Sequence, residues 1–133
     1  MNELRGWIIL GWIALPTVMY GGYSLLQLIY RDNALTPLQT SLFRAGHAHA
    51  GVLLLMSLLY YFFLGKTALP LALKHAACAV LVVGILAQSG GFFVQMIPKR
   101  ASLGISMTVT GAVLLVCAIA VLVYGLSTAW RAA

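Results

Sequence analysis

Charged side chains are scarce in this chain of 133 residues: only 8% of them are Asp, Glu, Lys or Arg, and only two are acidic. Soluble domains carry roughly 25% charged residues, so this scarcity excludes an ordinary water-soluble domain. Apolar residues make up 62% of the chain, and the mean hydropathy is +1.01. We therefore expect an integral membrane protein in contact with the lipid bilayer, built as a single domain over residues 1–133.

Basic runs and cysteine pairs are also lacking. The eight Lys and Arg give a net charge of +6 but are spread thinly over loops and helix ends. Nucleic-acid binding requires a basic patch or stripe, and its absence argues against a nucleic-acid partner. Cys78 and Cys117 both fall in apolar stretches and form no Cys-x-x-Cys pair, so they are interpreted as small hydrophobic residues.

Long apolar runs make up most of the sequence. Thr36 and Pro37 are typical of an N-cap and a first helical residue, and Gly65 is typical of a helix end. Each run exceeds the roughly 20 residues that cross a bilayer core, and a polar linker from Arg31 to Thr36 reads as a surface turn. The sequence predicts an all-α integral membrane fold, an antiparallel bundle of four transmembrane helices at about residues 7–30, 37–64, 70–97 and 102–130.

The orientation rests on the basic residues near the helix ends. Arg5, Lys66, Lys74 and Arg131 lie on the side of both termini, and Arg31, Arg44, Lys99 and Arg100 lie on the other. The two sides balance, but Arg44 falls within a helix rather than in a loop, which tips the balance toward cytoplasmic termini. We expect a bacterial inner membrane protein with both termini in the cytoplasm.

Arg44, His47 and His49 stand at the head of the second run, where the neighbouring residues are almost purely apolar. Ionisable groups at membrane depth are costly and are usually functional. On an α-helix, residues i and i+2 point about 200° apart and differ by about 3 Å in height. His47 and His49 therefore face different partners at one depth. A zinc or copper site on one helix favours i, i+4 spacing, so such a site within one chain is disfavoured.

A heme suits this arrangement better, because its iron takes axial imidazoles from opposite faces of the porphyrin. Several small residues surround the two histidines and leave bare helix surface. That surface admits either a flat macrocycle or a closely packed helix. The small residues are Ala45, Gly46, Ala48, Ala50 and Gly51.

The stretch Gly46–Leu53, GHAHAGVL, with Tyr60 and Tyr61 further along, resembles the His-x-His helix of the catalytic subunit of heme-copper oxidases. It is most similar to the C-type class and to the related nitric oxide reductases. In that family one histidine of the pair binds the low-spin heme and the other binds the high-spin heme. The resemblance covers one helix, with no similarity over the other three.

The family's catalytic subunit consists of three quasi-repeated arcs of four helices, and the His-x-His helix is the second of its arc. The resemblance implies that this chain corresponds to one arc and that it works as a homo-oligomer, with a trimer favoured. His47 of one copy and His49 of its neighbour would then hold a heme b between them. The implied activity is electron transfer or gas sensing, with a redox partner or a quinone.

Features of the family's enzymes are missing. The copper site needs further histidines, and only His75 remains, at another depth. Glu3 and Asp32 are the only acidic residues, and both are expected at the membrane surface, so the chain offers no intramembrane carboxylate for delivering protons. Oxygen or nitric oxide reduction is therefore not expected.

Two neighbouring residues have two interpretations each. Arg44 can pair with a heme propionate or reach toward lipid headgroups. Gln88, predicted at the depth of the histidines, can hydrogen-bond a ligand imidazole or a neighbouring helix. The predicted cofactor-binding residues are thus His47, His49, Arg44, Gly46, Gly51 and Gln88, with the two histidines as metal ligands.

Two other functions remain open on the sequence. The Arg44, His47 and His49 layer would suit a small transporter or channel for protons or for a transition metal such as copper or zinc. It would also suit a structural or accessory subunit, in which the polar layer only specifies how helices associate.

Overall fold

The computed structural model describes residues 3–31 and 35–131, with side chains as far as residue 128. Within these ranges the chain forms α1 (Arg5–Ile29), α2 (Pro37–Leu64), α3 (Leu71–Gln95) and α4 (Ala101–Arg131), and no strand. All four helices are long and apolar enough to cross a membrane, which confirms the predicted fold class. Residues 32–34 of the predicted linker, including Asp32, lie outside the described residues.

The ends of α2 and α3 follow from local chemistry. The Thr36 hydroxyl accepts a hydrogen bond from the Gln39 backbone N–H at 3.2 Å, and the Thr36 N–H donates to Gln39 Oε1 at 3.0 Å. This capping box, with Pro37 as the first helical residue, confirms the predicted start of α2. Helix α3 ends at Gln95, two residues before its predicted end, because Pro98 disfavours helical backbone in the residue that precedes it.

The helices pack in chain order, with α1 on α2, α2 on α3, and α3 on α4. Contacts along α1 and α2 run in opposite directions. Gly11 faces Leu58, whereas Gly22, three turns further along α1, faces His47, which is three turns earlier on α2. The same reversal holds for the other neighbouring pairs, so the bundle is antiparallel as predicted, with α1 at one edge.

Most of the buried side chains lie in the half of the bundle that holds the N-terminus of α1. There the Tyr60 hydroxyl donates a hydrogen bond to the Ala118 carbonyl at 2.8 Å and ties α2 to α4. The half that contains His47 and His49 has fewer buried side chains and is more open. The core cluster consists of Leu4, Tyr60, Tyr61, Leu64, Ala77, Cys78, Leu81, Ile85, Leu115 and Ala118.

Candidate heme-ligand site

His49 lies on the side of α2 that faces α3. Its Nδ1 is 2.8 Å from the Ala45 carbonyl oxygen, one turn earlier on α2. A carbonyl oxygen only accepts hydrogen bonds, so this contact requires a proton on Nδ1 and leaves a lone pair on Nε2. The ring also packs on Phe92, with 4.9 Å between ring centroids. The backbone of α2 and one aromatic ring of α3 thus fix both the tautomer and the orientation of this imidazole.

His47 lies on the opposite side of α2, against α1. A methyl group added to Gly22 would lie 3.0 Å from His47 Nε2, and one added to Gly21 would lie 3.5 Å from Nδ1. The imidazole therefore rests on helix backbone that only glycine leaves bare. This contact also places His47 within one turn of Met19 and Tyr20, the residues of α1 at the predicted depth.

Each imidazole lines its own groove, and both grooves are open to the outside of the bundle. His49 lines a shallow one of about 380 Å³. The groove beside His47 is larger, at about 650 Å³. The remaining residues of the first are Ala48, Val52 and Leu53, and those of the second are Thr17, Val18, Gly21, Ser24, Phe43, Ala50 and Phe93.

The two glycines that flank the histidines have different neighbours. A methyl group on Gly46 would lie 2.9 Å from Phe93 Cε2 and 3.1 Å from Phe92 Cβ, so the bare surface at Gly46 is filled by α3 of the same chain. At Gly51 the nearest atom to such a methyl group is Val18 Cγ1, at 3.7 Å. Close helix packing therefore accounts for Gly46, and Gly51 keeps space for an ordinary contact.

Arg44 and Gln88 flank the histidines without contacting them. Arg44 is exposed, one turn before His47, and the described part of the chain gives it no carboxylate partner. Gln88 packs its backbone against Gly111 of α4, and its Oε1 is buried without a hydrogen-bond partner among the described residues. The hydrogen bond considered between Gln88 and an imidazole is not formed, because Gln88 faces α4 whereas His49 lies between α2 and α3.

The third histidine stands apart, as predicted from its depth. His75 is exposed near the start of α3, where its Nδ1 accepts a hydrogen bond from Trp7 Nε1 at 2.9 Å. Over residues 3–31 and 35–131, His, Cys, Asp and Glu side chains nowhere gather in groups of three or more that could hold a metal ion. A metal site that uses His47 or His49 would need ligands from another chain or from a cofactor.

Several residues around the histidines were not predicted. The contact between His49 and the Ala45 carbonyl follows from i, i−4 spacing on a helix, and that signal was available in the sequence. The contacts with Phe92, Gly21 and Gly22 depend on how the helices are rotated about their axes, which apolar periodicity does not determine in a membrane.

The fold and the site define a four-helix integral membrane protein with two oppositely directed imidazoles on its second helix. Comparison of the chain with protein-family models, curated proteins and solved structures finds no match.

Proposed function

We propose that this protein binds heme b between neighbouring copies of the chain and transfers electrons within the membrane. His49 of one copy and His47 of the next would be the axial ligands. The observation that supports this proposal most directly is the hydrogen bond from His49 Nδ1 to the Ala45 carbonyl. Histidines that bind metal commonly donate their other ring N–H to a backbone carbonyl or a carboxylate, which orients the ring and raises its basicity.

The opposed directions of the two imidazoles support a site between chains. His47 faces α1 and His49 faces α3, so one chain does not offer both to a single iron. Each groove opens outward, where a second copy in the membrane can approach. An arrangement in which one surface of a protomer meets a different surface of the next closes into a ring when the rotation allows, and this agrees with the proposed trimer.

His49, His47 and Arg44 would each contribute to binding such a heme in a different way. His49 is already oriented, and Phe92 supports its ring. His47 lies against Gly21 and Gly22 of α1 and lines the larger of the two outward-facing grooves. Exposed Arg44 supplies a guanidinium, which binds carboxylates such as heme propionates through paired hydrogen bonds.

A heme supplies one-electron redox chemistry, and its axial ligands set its potential. Imidazoles from two copies would both bind the iron, and this would favour electron transfer over the binding of a diatomic gas. Apart from Thr17 and Ser24 in the groove beside His47, the side chains that line the two grooves with the histidines are aromatic or apolar, which suits a porphyrin ring. A membrane-dissolved quinone remains the proposed redox partner.

The absorption spectrum of the purified protein tests the proposal. Wild-type protein produced with sufficient heme should show a sharp Soret band and well-resolved α and β bands in the reduced state. His49→Ala should lose this spectrum, because the other described residues that line the groove beside His49 are apolar and cannot replace the imidazole. His75→Ala is the matched control, since it removes an exposed imidazole at the other end of the bundle and should leave the spectrum unchanged.

Other results would point to the alternatives. A colourless wild-type protein that carries protons, copper or zinc across liposome membranes would replace the heme proposal with transport. A colourless protein without ion flux, in which His49→Ala only weakens the oligomer, would indicate an accessory subunit.

A further inference from the structure

A second groove lies between α1, α2 and α3, near the termini and away from the histidines. Helices α1 and α3 run parallel here, each packed on α2, and they leave a gap of about 520 Å³. We call this gap the α1–α3 slot. Its walls are Leu10, Gly11 and Ala14 of α1, Leu54, Ser57 and Tyr61 of α2, and Val82, Ile85 and Leu86 of α3.

Polar contacts close the slot at the end nearest the N-terminus. Trp7 donates a hydrogen bond to His75 at 2.9 Å, and Lys74 pairs with Glu3 at 3.2 Å. Leu4, with 1% of its surface exposed, anchors the start of α1 in the core between them. Below these contacts α1 and α3 separate, and the slot opens sideways.

The position of the slot determines what can fill it. It lies within the membrane-spanning parts of three helices, and its walls are hydrocarbon apart from the hydroxyls of Ser57 and Tyr61. The Ser57 hydroxyl already donates to the Leu54 carbonyl at 2.7 Å. An apolar cavity of this kind does not hold water, so it takes hydrocarbon from the bilayer.

The volume of the slot favours a single acyl chain over a helix. The Trp7–His75 hydrogen bond holds α1 and α3 together at one end, and the gap has a volume of about 520 Å³. One turn of a helix with its side chains, 5.4 Å long and about 10–12 Å across, already fills about 500 Å³. The slot is therefore too small for a membrane-spanning helix of a second copy, whereas a flexible acyl chain can enter it.

The charge at the closed end favours an anionic lipid. Lys74 is buried and neutralised by Glu3, and the described residues provide no carboxylate partner for exposed Arg5 and Lys66. His75 accepts from Trp7 through Nδ1, so the proton of the neutral ring is on Nε2, a hydrogen-bond donor. Two cations and a ring N–H suit a phosphate better than they suit a neutral quinone carbonyl.

We propose that the α1–α3 slot seats one acyl chain of an anionic phospholipid, with its phosphate near Arg5, Lys66 and His75. This lipid would fill the gap beside α1, the edge helix of the bundle. The proposal is independent of heme, because no residue lines both the slot and either histidine groove.

Native mass spectrometry of delipidated protein tests it, with phosphatidylglycerol or phosphatidylcholine of identical chains added back. Wild-type protein should retain one phosphatidylglycerol per chain in preference to phosphatidylcholine. Ala14→Phe fills the slot and should lose that lipid. Ala120→Phe adds the same ring on an exposed position of α4 and should keep it. Equal retention by the two variants, or equal retention of the two lipids by wild type, would overturn the proposal.

Two further measurements test the proposal without Ala14→Phe, which could lose the lipid because it fails to fold. With Trp12 and Trp130 replaced by Phe, the fluorescence of Trp7 should be quenched more by phosphatidylglycerol with brominated chains than by brominated phosphatidylcholine. Combined Arg5→Gln and Lys66→Gln substitutions, which leave the slot intact, should remove this preference. Displacement of the lipid by ubiquinone at equal concentration would assign the slot to a neutral isoprenoid instead.

Discussion

At the scale of single residues, an imidazole inside a membrane serves as a ligand only if one nitrogen keeps its lone pair. The Ala45 carbonyl achieves this for His49 by taking the Nδ1 proton. This carbonyl also accepts the ordinary helical hydrogen bond, and a carbonyl oxygen has two lone pairs for the two donors. The ligand is thus oriented by backbone alone, without a carboxylate in the membrane.

Lys99 offers a test of strain at one residue. It lies in the turn between α3 and α4 with φ of 65°, the only positive φ of a non-glycine residue in the described ranges. Left-handed backbone costs a residue with a Cβ about 1 kcal/mol. Lys99→Gly should therefore raise the free energy of unfolding by about 0.5–1 kcal/mol, measured by denaturant titration in detergent micelles.

Arg100→Gly is the control for Lys99→Gly. Arg100 has an ordinary negative φ, and its carbonyl accepts a hydrogen bond from Gly104 N–H in the first turn of α4. Glycine there relieves no strain and should not stabilise the protein. A loss of stability in Lys99→Gly would show that the lysine side chain makes a contact that outweighs its backbone strain.

At the scale of helices, α3 and α4 approach most closely because glycines face each other. A methyl group on Gly91 would lie 2.6 Å from the Gly104 carbonyl oxygen and 2.7 Å from the Thr108 backbone nitrogen. Gln95 adds a hydrogen bond across the contact, from its Nε2 to Thr108 Oγ1 at 3.3 Å. Small residues that bring backbones together are the usual basis of helix association in lipid.

Adjacent glycines on α3 give a matched pair of variants. Gly91→Ala forces the backbones of α3 and α4 apart, and we expect a loss of about 1–3 kcal/mol in the free energy of unfolding. Gly90→Ala has the nearest atom, Met107 Cε, at 4.0 Å, and should be neutral or slightly stabilising because alanine has the higher helix propensity. Denaturant titrations of both variants, compared with wild type, measure the difference. Equal free energies of unfolding for the two variants would mean that the close contact between α3 and α4 at Gly91 does not determine stability.

The sequence predicts helix ends and depths well but predicts contacts around the helix axis poorly. Thr36 and Pro37 identify the start of α2 because capping is local chemistry, and a rise of 1.5 Å per residue places His47 at the right level of α1. In a membrane, however, both lipid and helix neighbours are apolar, so hydropathy does not show which face of α3 meets which helix. For this reason neither the orientation of Gln88 toward α4 nor the filling of Gly46 by Phe93 was predicted.

At the scale of the whole molecule, the helices are tightly packed in the half that holds the N-terminus of α1 and more loosely packed in the half that holds the histidines. Helix α1 is the least buried, with 11% of its most apolar spanning window buried, compared with 39% in α3. The Glu3–Lys74 and Trp7–His75 contacts hold it at one end only. The open half therefore presents two separate imidazole grooves on different sides of one protomer, and a site that joins them needs more than one copy.

A mixed oligomer tests whether each heme site joins His47 of one copy to His49 of the next. Homo-oligomers of His47→Ala or of His49→Ala should each lack the bis-imidazole spectrum, because every junction then has one ligand. Co-expression of the two variants in equal amounts, with different tags for tandem purification, should restore it at about a third of the junctions of a trimer, because every mixed trimer with heterologous junctions has one junction that keeps both ligands. The measurement is the Soret absorbance per protein chain relative to wild type. A site formed by two His49 side chains across a two-fold axis would instead leave the His47→Ala homo-oligomer fully coloured. A site that uses both histidines of one chain would give no recovery in the mixture.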